Sequence, residues 1–146
     1  MDSSVHPGIL AAAQITAAYS TLYSMTFVNI LICKKYYAKQ ARARGQDFDR
    51  YTSLDMRPAD RLQANFMEWT PAFLGPLWSL ALTHQLDAGA CIMAWTYLGL
   101  RTLYFGLVLN YGVHPTGMNR PLWAATFPGY ACLTYLQIQA LRLLWA

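Results

Sequence analysis

Charge is scarce in this chain: only 12% of its 146 residues are Asp, Glu, Lys or Arg, seven of them are acidic, and Glu68 is the lone glutamate. A water-soluble globule carries about 25% charged residues, so this composition points away from one. Cysteine is scarce as well. Cys33, Cys91 and Cys132 are odd in number, sit in apolar surroundings and lack metal-ligand spacing. They read as small buried hydrophobes, without a disulfide framework and without a metal site. No Gly-rich phosphate loop, internal repeat or low-complexity tract occurs, which leaves nucleotide chemistry unsupported. His84 and His114 fall at opposite ends of the expected helices, too far apart for one metal ion, and His6 lies in a short polar tail.

What the chain does have is apolar length. Hydrophobic residues make up 55% of it, aromatics 14%, and the mean hydropathy is +0.21. A membrane-spanning helix needs about 20 mainly apolar residues, given a hydrocarbon layer of about 30 Å. Four runs qualify, at 9–33, 61–84, 89–111 and 121–145. They predict one all-α integral membrane domain over residues 1–146, a bundle of four transmembrane helices. The first run lacks a basic flank and is too long for a signal peptide. Pro71 and Pro76 predict a kink in the second, and the few residues around Asp87 make the second and third helices antiparallel neighbours.

The basic residues are unevenly placed. Lys34, Lys35, Lys39, Arg42, Arg44, Arg50, Arg57 and Arg61 crowd the first connection, Arg120 follows the third, and the segment before Lys34 has none. By the positive-inside rule both termini face away from the cytosol. The net charge of +4 does not indicate nucleic acid, because the basic loop also holds Asp47, Asp49, Asp55 and Asp60. Lys34 and Lys35 read first as snorkelling anchors. Gln14, Asn29, Asn110 and Gln137 are expected to hydrogen-bond across helices, and most tyrosines and tryptophans to form belts or core.

Against this background Arg61, Asn65 and Glu68 stand out. On a helix, spacings of four and three residues stack a cation, an amide and a carboxylate on one face. Glu68 lies about 10 Å inside the second helix and Arg101 about 15 Å inside the third, with Tyr104 one turn shallower. Each such charge costs about 2.5–3.5 kcal/mol at mid-membrane, so Glu68 and Arg101 are expected to pair or to line a watery cavity open to the cytosol. Arg120 starts the fourth helix at the same level. A polar seam between helices would balance its charges. This set has more cations than Glu68 can neutralise, and so calls for an anionic ligand.

The run Arg61-Leu62-Gln63-Ala64-Asn65-Phe66-Met67-Glu68-Trp69-Thr70-Pro71 resembles the glutathione-binding signature of the MAPEG superfamily, membrane-associated proteins of eicosanoid and glutathione metabolism. Arg101-Thr102-Leu103-Tyr104-Phe105 resembles the family's Arg-x-x-Tyr-Phe segment, and Arg120-Pro121-Leu122-Trp123 its fourth-helix opening. The resemblance implies a homotrimer with glutathione between subunits. It implies that Arg61, Asn65, Glu68, Trp69, Arg101 and Tyr104, with Lys34 as a further carboxylate contact, bind glutathione, and that Arg120 stabilises its thiolate. Arginine suits carboxylates through its planar fork, and a fixed cation lowers a thiol's pKa from about 8.5.

The function so implied is a microsomal-type glutathione transferase acting on lipophilic electrophiles, with peroxidase activity on lipid hydroperoxides. The electrophile would enter laterally from lipid between subunits. Its membrane would be the endoplasmic reticulum or a bacterial inner membrane. The sequence departs from eicosanoid-synthesising members in carrying Val108 where they have a second tyrosine, and Trp69 where some have tyrosine. The alternatives are a non-catalytic lipid-binding scaffold of the same superfamily and a small transporter using Glu68 as its membrane acid.

Overall fold

A computed structural model describes residues 6–113 and 119–145. It contains α1 (Pro7–Ala43), α2 (Arg57–Leu82), α3 (Ala88–Tyr111) and α4 (Arg120–Arg142), with a short 3-10 turn at Leu54–Met56 leading into α2. The first helix runs ten residues past its expected end at Cys33. Lys34, Lys35, Lys39 and Arg42 therefore stand on a helical extension instead of a loop. Good helix formers such as Ala38, Gln40 and Ala41 carry it onward, and Gly45, at φ +65°, supplies the left-handed residue that ends it. His114, Pro115 and Gly117 lie outside the described residues.

Two of the four helices, α1 and α3, are long and apolar enough to cross a membrane by themselves. The other two have the length, 26 and 23 residues or about 39 and 35 Å, but are more polar than expected. In α2 the apolar run is interrupted by Asn65, Glu68, Pro71 and Pro76. Apolar side chains also cover outward faces, among them Met25, Val28 and Ile32 on α1 and Ile92, Trp95 and Leu109 on α3. A helix apolar all round suits a lipid environment or a neighbouring chain.

Inside the bundle Ile15, Tyr19, Phe66, Phe73, Leu77, Ala94, Tyr97 and Leu136 form a continuous core. Specific bonds set the α1–α2 register. The Tyr19 hydroxyl donates to the Phe66 carbonyl at 3.1 Å and lies 2.9 Å from the Thr70 hydroxyl, while Trp78 Nε1 donates to Thr16 Oγ1 at 3.0 Å. Asn29 and Asn110 do not bridge helices as expected. Asn29 accepts from Cys33 Sγ at 3.8 Å and Asn110 donates to the Gly106 carbonyl at 2.7 Å, each one turn along its own helix. Of the cysteines Cys132 is buried, while Cys33 and Cys91 are half-buried. The α2 helix continues as one element through Pro71 and Pro76.

The start of α1 meets the end of α2. His84 takes φ +59°, where the Gln85 N–H bonds back to Leu80 O at 2.8 Å, a left-handed helix end usually made with glycine. Its ring lies 4.2 Å from that of His6, whose Nδ1 accepts the Gly8 N–H at 3.2 Å. His6 thus caps α1, a role its tail position gave no hint of. Three residues after His84, Asp87 Oδ1 accepts the Ala90 N–H at 2.6 Å and caps α3. Asp87→Ala should lower stability by about 1 kcal/mol in thermal unfolding of the detergent-solubilised protein, because that amide loses its partner.

Candidate functional site

The site is organised around Arg101, which is 8% exposed and one of two buried polar or charged residues among those described. Burial of a guanidinium requires that its donors be met. Its Nε donates to the Tyr97 hydroxyl at 2.7 Å, one NH group to Asn65 Oδ1 at 2.6 Å, and the other to the Asn65 carbonyl at 3.4 Å. The charge also lies over the Phe66, Tyr97 and Tyr104 rings at 5.2, 5.2 and 5.9 Å. Tyr97 sits one helical turn before Arg101, so the same face of α3 delivers both. Phe73, 4.5 Å from the Tyr97 ring, backs it from α2.

Next to this cluster is a cavity of about 970 Å³ bounded by α2, α3, α4 and the segment before α2. Arg57, Asp60, Arg61 and Asn65 line it from α2, Tyr97, Arg101 and Tyr104 from α3, and Tyr51, Thr52 and Ser53 from the preceding segment. The Asp60 carboxylate is engaged, since it accepts from Arg50 at 2.9 Å. That hydrogen bond holds the Arg50 guanidinium above its ordinary pKa. Among the described residues, Arg57, Arg61 and Arg101 therefore face the cavity with no carboxylate left to them alone. An anionic ligand is what such a cavity attracts.

Of the two expected environments, pairing of Glu68 with Arg101 does not occur, and Arg101 lines the cavity instead, with Asn65 and Tyr97 as its hydrogen-bond partners. Helix geometry accounts for this. At about 100° per residue, Asn65 stands nearest the buried stripe of Leu62, Phe66, Phe73 and Leu77, Arg61 lies further round, and Glu68 furthest. Arg61 and Asn65 accordingly line the cavity, whereas Glu68 is exposed and not among its walls. Arg61, Asn65 and Glu68 do share one side of α2, but that side runs along the margin of the core. Tyr104, buried, faces the cavity as expected.

The remaining expected residues lie off the cavity. Trp69 is half-buried with its ring 4.8 Å from Tyr130. Lys34 is exposed on α1, and Arg120 is exposed at the first position of α4. Tyr97, Arg57 and Tyr130 were not foreseen as parts of the site. The four-residue interval from Tyr97 to Arg101 was the available signal for the first; nothing in the sequence singled out the other two.

Fold and site together define a helical bundle with membrane-spanning character and a cationic cavity opening among three of its helices. The MAPEG family model matches residues 9–141, and the chain belongs to that family. No curated protein and no solved structure matched it. MAPEG is a membrane family associated with glutathione and eicosanoid metabolism, and it includes glutathione transferases as well as non-catalytic members.

Proposed function

We propose that this protein is a membrane-bound glutathione transferase that conjugates glutathione to lipophilic electrophiles. The observation that carries the reading is the surplus of cations in the cavity: Arg57, Arg61 and Arg101 face it, and Asp60 is held by Arg50. Glutathione brings two carboxylates, which arginine binds as forked pairs. Asn65 and Tyr104 supply further polar contacts to the tripeptide. Glu68, Trp69, Lys34 and Arg120 are not among the residues lining the cavity of their own chain, and in the homotrimer the family resemblance implies they would complete a site shared with a neighbouring copy. In that arrangement Glu68 takes the γ-glutamyl ammonium and Arg120 approaches the thiol.

Catalysis then needs little from the protein beyond position and charge. The thiol loses its proton to solvent, Arg120 stabilises the thiolate, and the sulfur attacks the electrophilic carbon while the leaving group departs with the bonding pair. With a lipid hydroperoxide the same thiolate gives peroxidase chemistry: two glutathione thiols are oxidised to one disulfide as the hydroperoxide becomes an alcohol and water. The basic extension of α1 and the Arg57 end of the bundle would face the cytosol, in endoplasmic reticulum or a bacterial inner membrane.

The test is a conjugation assay on purified protein in detergent with glutathione and chlorodinitrobenzene. Turnover that saturates with glutathione is expected. Binding of lipid without any glutathione-dependent turnover would instead favour the non-catalytic scaffold reading.

A further inference from the structure

Among the described residues that line the cavity, Asp60 is the only carboxylate, against the cations of Arg57, Arg61 and Arg101. Asp60 and Arg57 stand three residues apart on α2, an interval at which side chains meet on a helix surface. Left to itself, the Asp60 carboxylate would pair with Arg57 and cancel one of the three cations. Its Oδ1 accepts instead from Arg50, at 2.9 Å, and Arg50 is not part of the cavity wall.

The segment before α2 delivers Arg50 to that point. Phe48 packs against the buried cluster of Ile30, Met56 and Ala59, so the chain is pinned to α1 and α2 two residues earlier. Asp49 then folds the turn: its carboxylate accepts the Tyr51 N–H at 3.0 Å and the Thr52 hydroxyl at 3.1 Å, and its carbonyl accepts the Ser53 N–H at 3.1 Å. Asp49 is thereby occupied within its own turn. The Arg50 guanidinium lies 5.5 Å from the centre of the Tyr51 ring and gives Asp60 a single NH group, while its buried Nε has no hydrogen-bond partner among the described residues. An arginine seated for strength would use its fork. With side chains 29% and 41% exposed, the pair adds little to stability, so its consequence lies in where it holds the charge.

We propose that Arg50 is a positioning residue that sets the ligand class of the cavity: by engaging the Asp60 carboxylate from outside, it leaves Arg57 available to an anion and makes the cavity a site for ligands with two carboxylates. Without Arg50, Asp60 turns to Arg57 and one carboxylate position is lost. The identity of the ligand rests on the reading of glutathione above; its charge rests on the wall of the cavity alone. Arg50 touches no ligand in this account and acts only through Asp60.

The heats of binding of glutathione and of glutarate, a plain dicarboxylate, to the full-length protein in detergent test this. Arg50→Ala should weaken both ligands about fivefold, the effect of one unit charge at about 4 Å under water-like screening. Adding Asp60→Asn to Arg50→Ala should bring both back to within about twofold of wild type on the same scale, because the released carboxylate is gone. Both variants lack the ion pair, so recovery separates the charge from any tethering of the segment. Arg44→Ala removes an equal charge from an exposed arginine bonded to Gln40, and should change neither affinity by more than about twofold, since solvent and salt screen it. No recovery in the double variant, or an equal loss in Arg44→Ala, would overturn the proposal. Glutarate following the expected order while glutathione fails to bind would remove the transferase reading and leave the role of Arg50 standing. Glutathione binding wild type and Arg50→Ala equally would do the reverse. Binding of neither ligand to wild type would overturn both.

Discussion

Asn65→Leu is expected to lower the unfolding free energy by about 2–3 kcal/mol, since the substitution removes the amide oxygen from a buried guanidinium. Arg101 would keep its charge, its bond to Tyr97 and its weak contact with the Asn65 backbone carbonyl at 3.4 Å, but not the 2.6 Å bond to the side chain. Arg101→Met strands the other partners, leaving the amide of Asn65 and the hydroxyl of Tyr97 without their donor. The double replacement removes the charge and its amide partner together. It should therefore cost less than the sum of the single changes, with a coupling of about 1–3 kcal/mol. Thermal unfolding of the three variants in one detergent measures it. Additive losses would mean that Arg101 is held by something other than Asn65. Glutathione affinity should fall in all three.

Much of this was legible in the residues. Four apolar runs located four helices, since burial against lipid and against one another requires apolar length whatever the details of packing. In the sequence Asp87 reads only as part of a short turn between the second and third helices; that its carboxylate also caps α3 emerges from the structure. Arg61 and Asn65 were singled out by spacing, Arg101 and Tyr104 by depth, and all four line one cavity. The partner of Arg101 was missed. Depth along two antiparallel helices places Glu68 near the level of Arg101, but rotation about the axis of α2 decides which side chain arrives. That rotation follows from where the core stripe of Leu62, Phe66 and Phe73 sits, which only packing reveals. The helical extension beyond Cys33 was hidden for a different reason. Its charges look like a loop when hydropathy is the guide, although nothing in Lys34 to Ala43 opposes a helix.

The role proposed for Arg120 carries the second large effect. A cation at the first turn of a helix faces the positive end of the helix dipole, so stability alone does not favour it there. Arg120→Ala should consequently leave folding nearly unchanged while sharply reducing activity. A thiol of pKa about 8.5 is only about 3% ionised at pH 7, whereas one held near 6.5 is about 75% ionised. Loss of the cation should lower kcat at pH 7 by about 10- to 30-fold, on the same scale. The sign with pH follows: a depressed thiol pKa supplies thiolate above that pKa, so the wild-type rate levels off near neutrality and the variant continues to climb into alkaline solution. Arg120→Lys should restore part of the rate. An Arg120→Ala enzyme with an unshifted pH profile would remove Arg120 from the chemistry.

Binding and ionisation of glutathione lie at the centre of the account. They are tested most directly by titrating the purified protein with glutathione while recording heat and the ultraviolet absorbance of the thiolate. Saturable binding is predicted, weakened in Asn65→Leu and Arg101→Met, with thiolate appearing in wild type and lost in Arg120→Ala. Glutathione that neither binds nor ionises in the wild-type protein would contradict it.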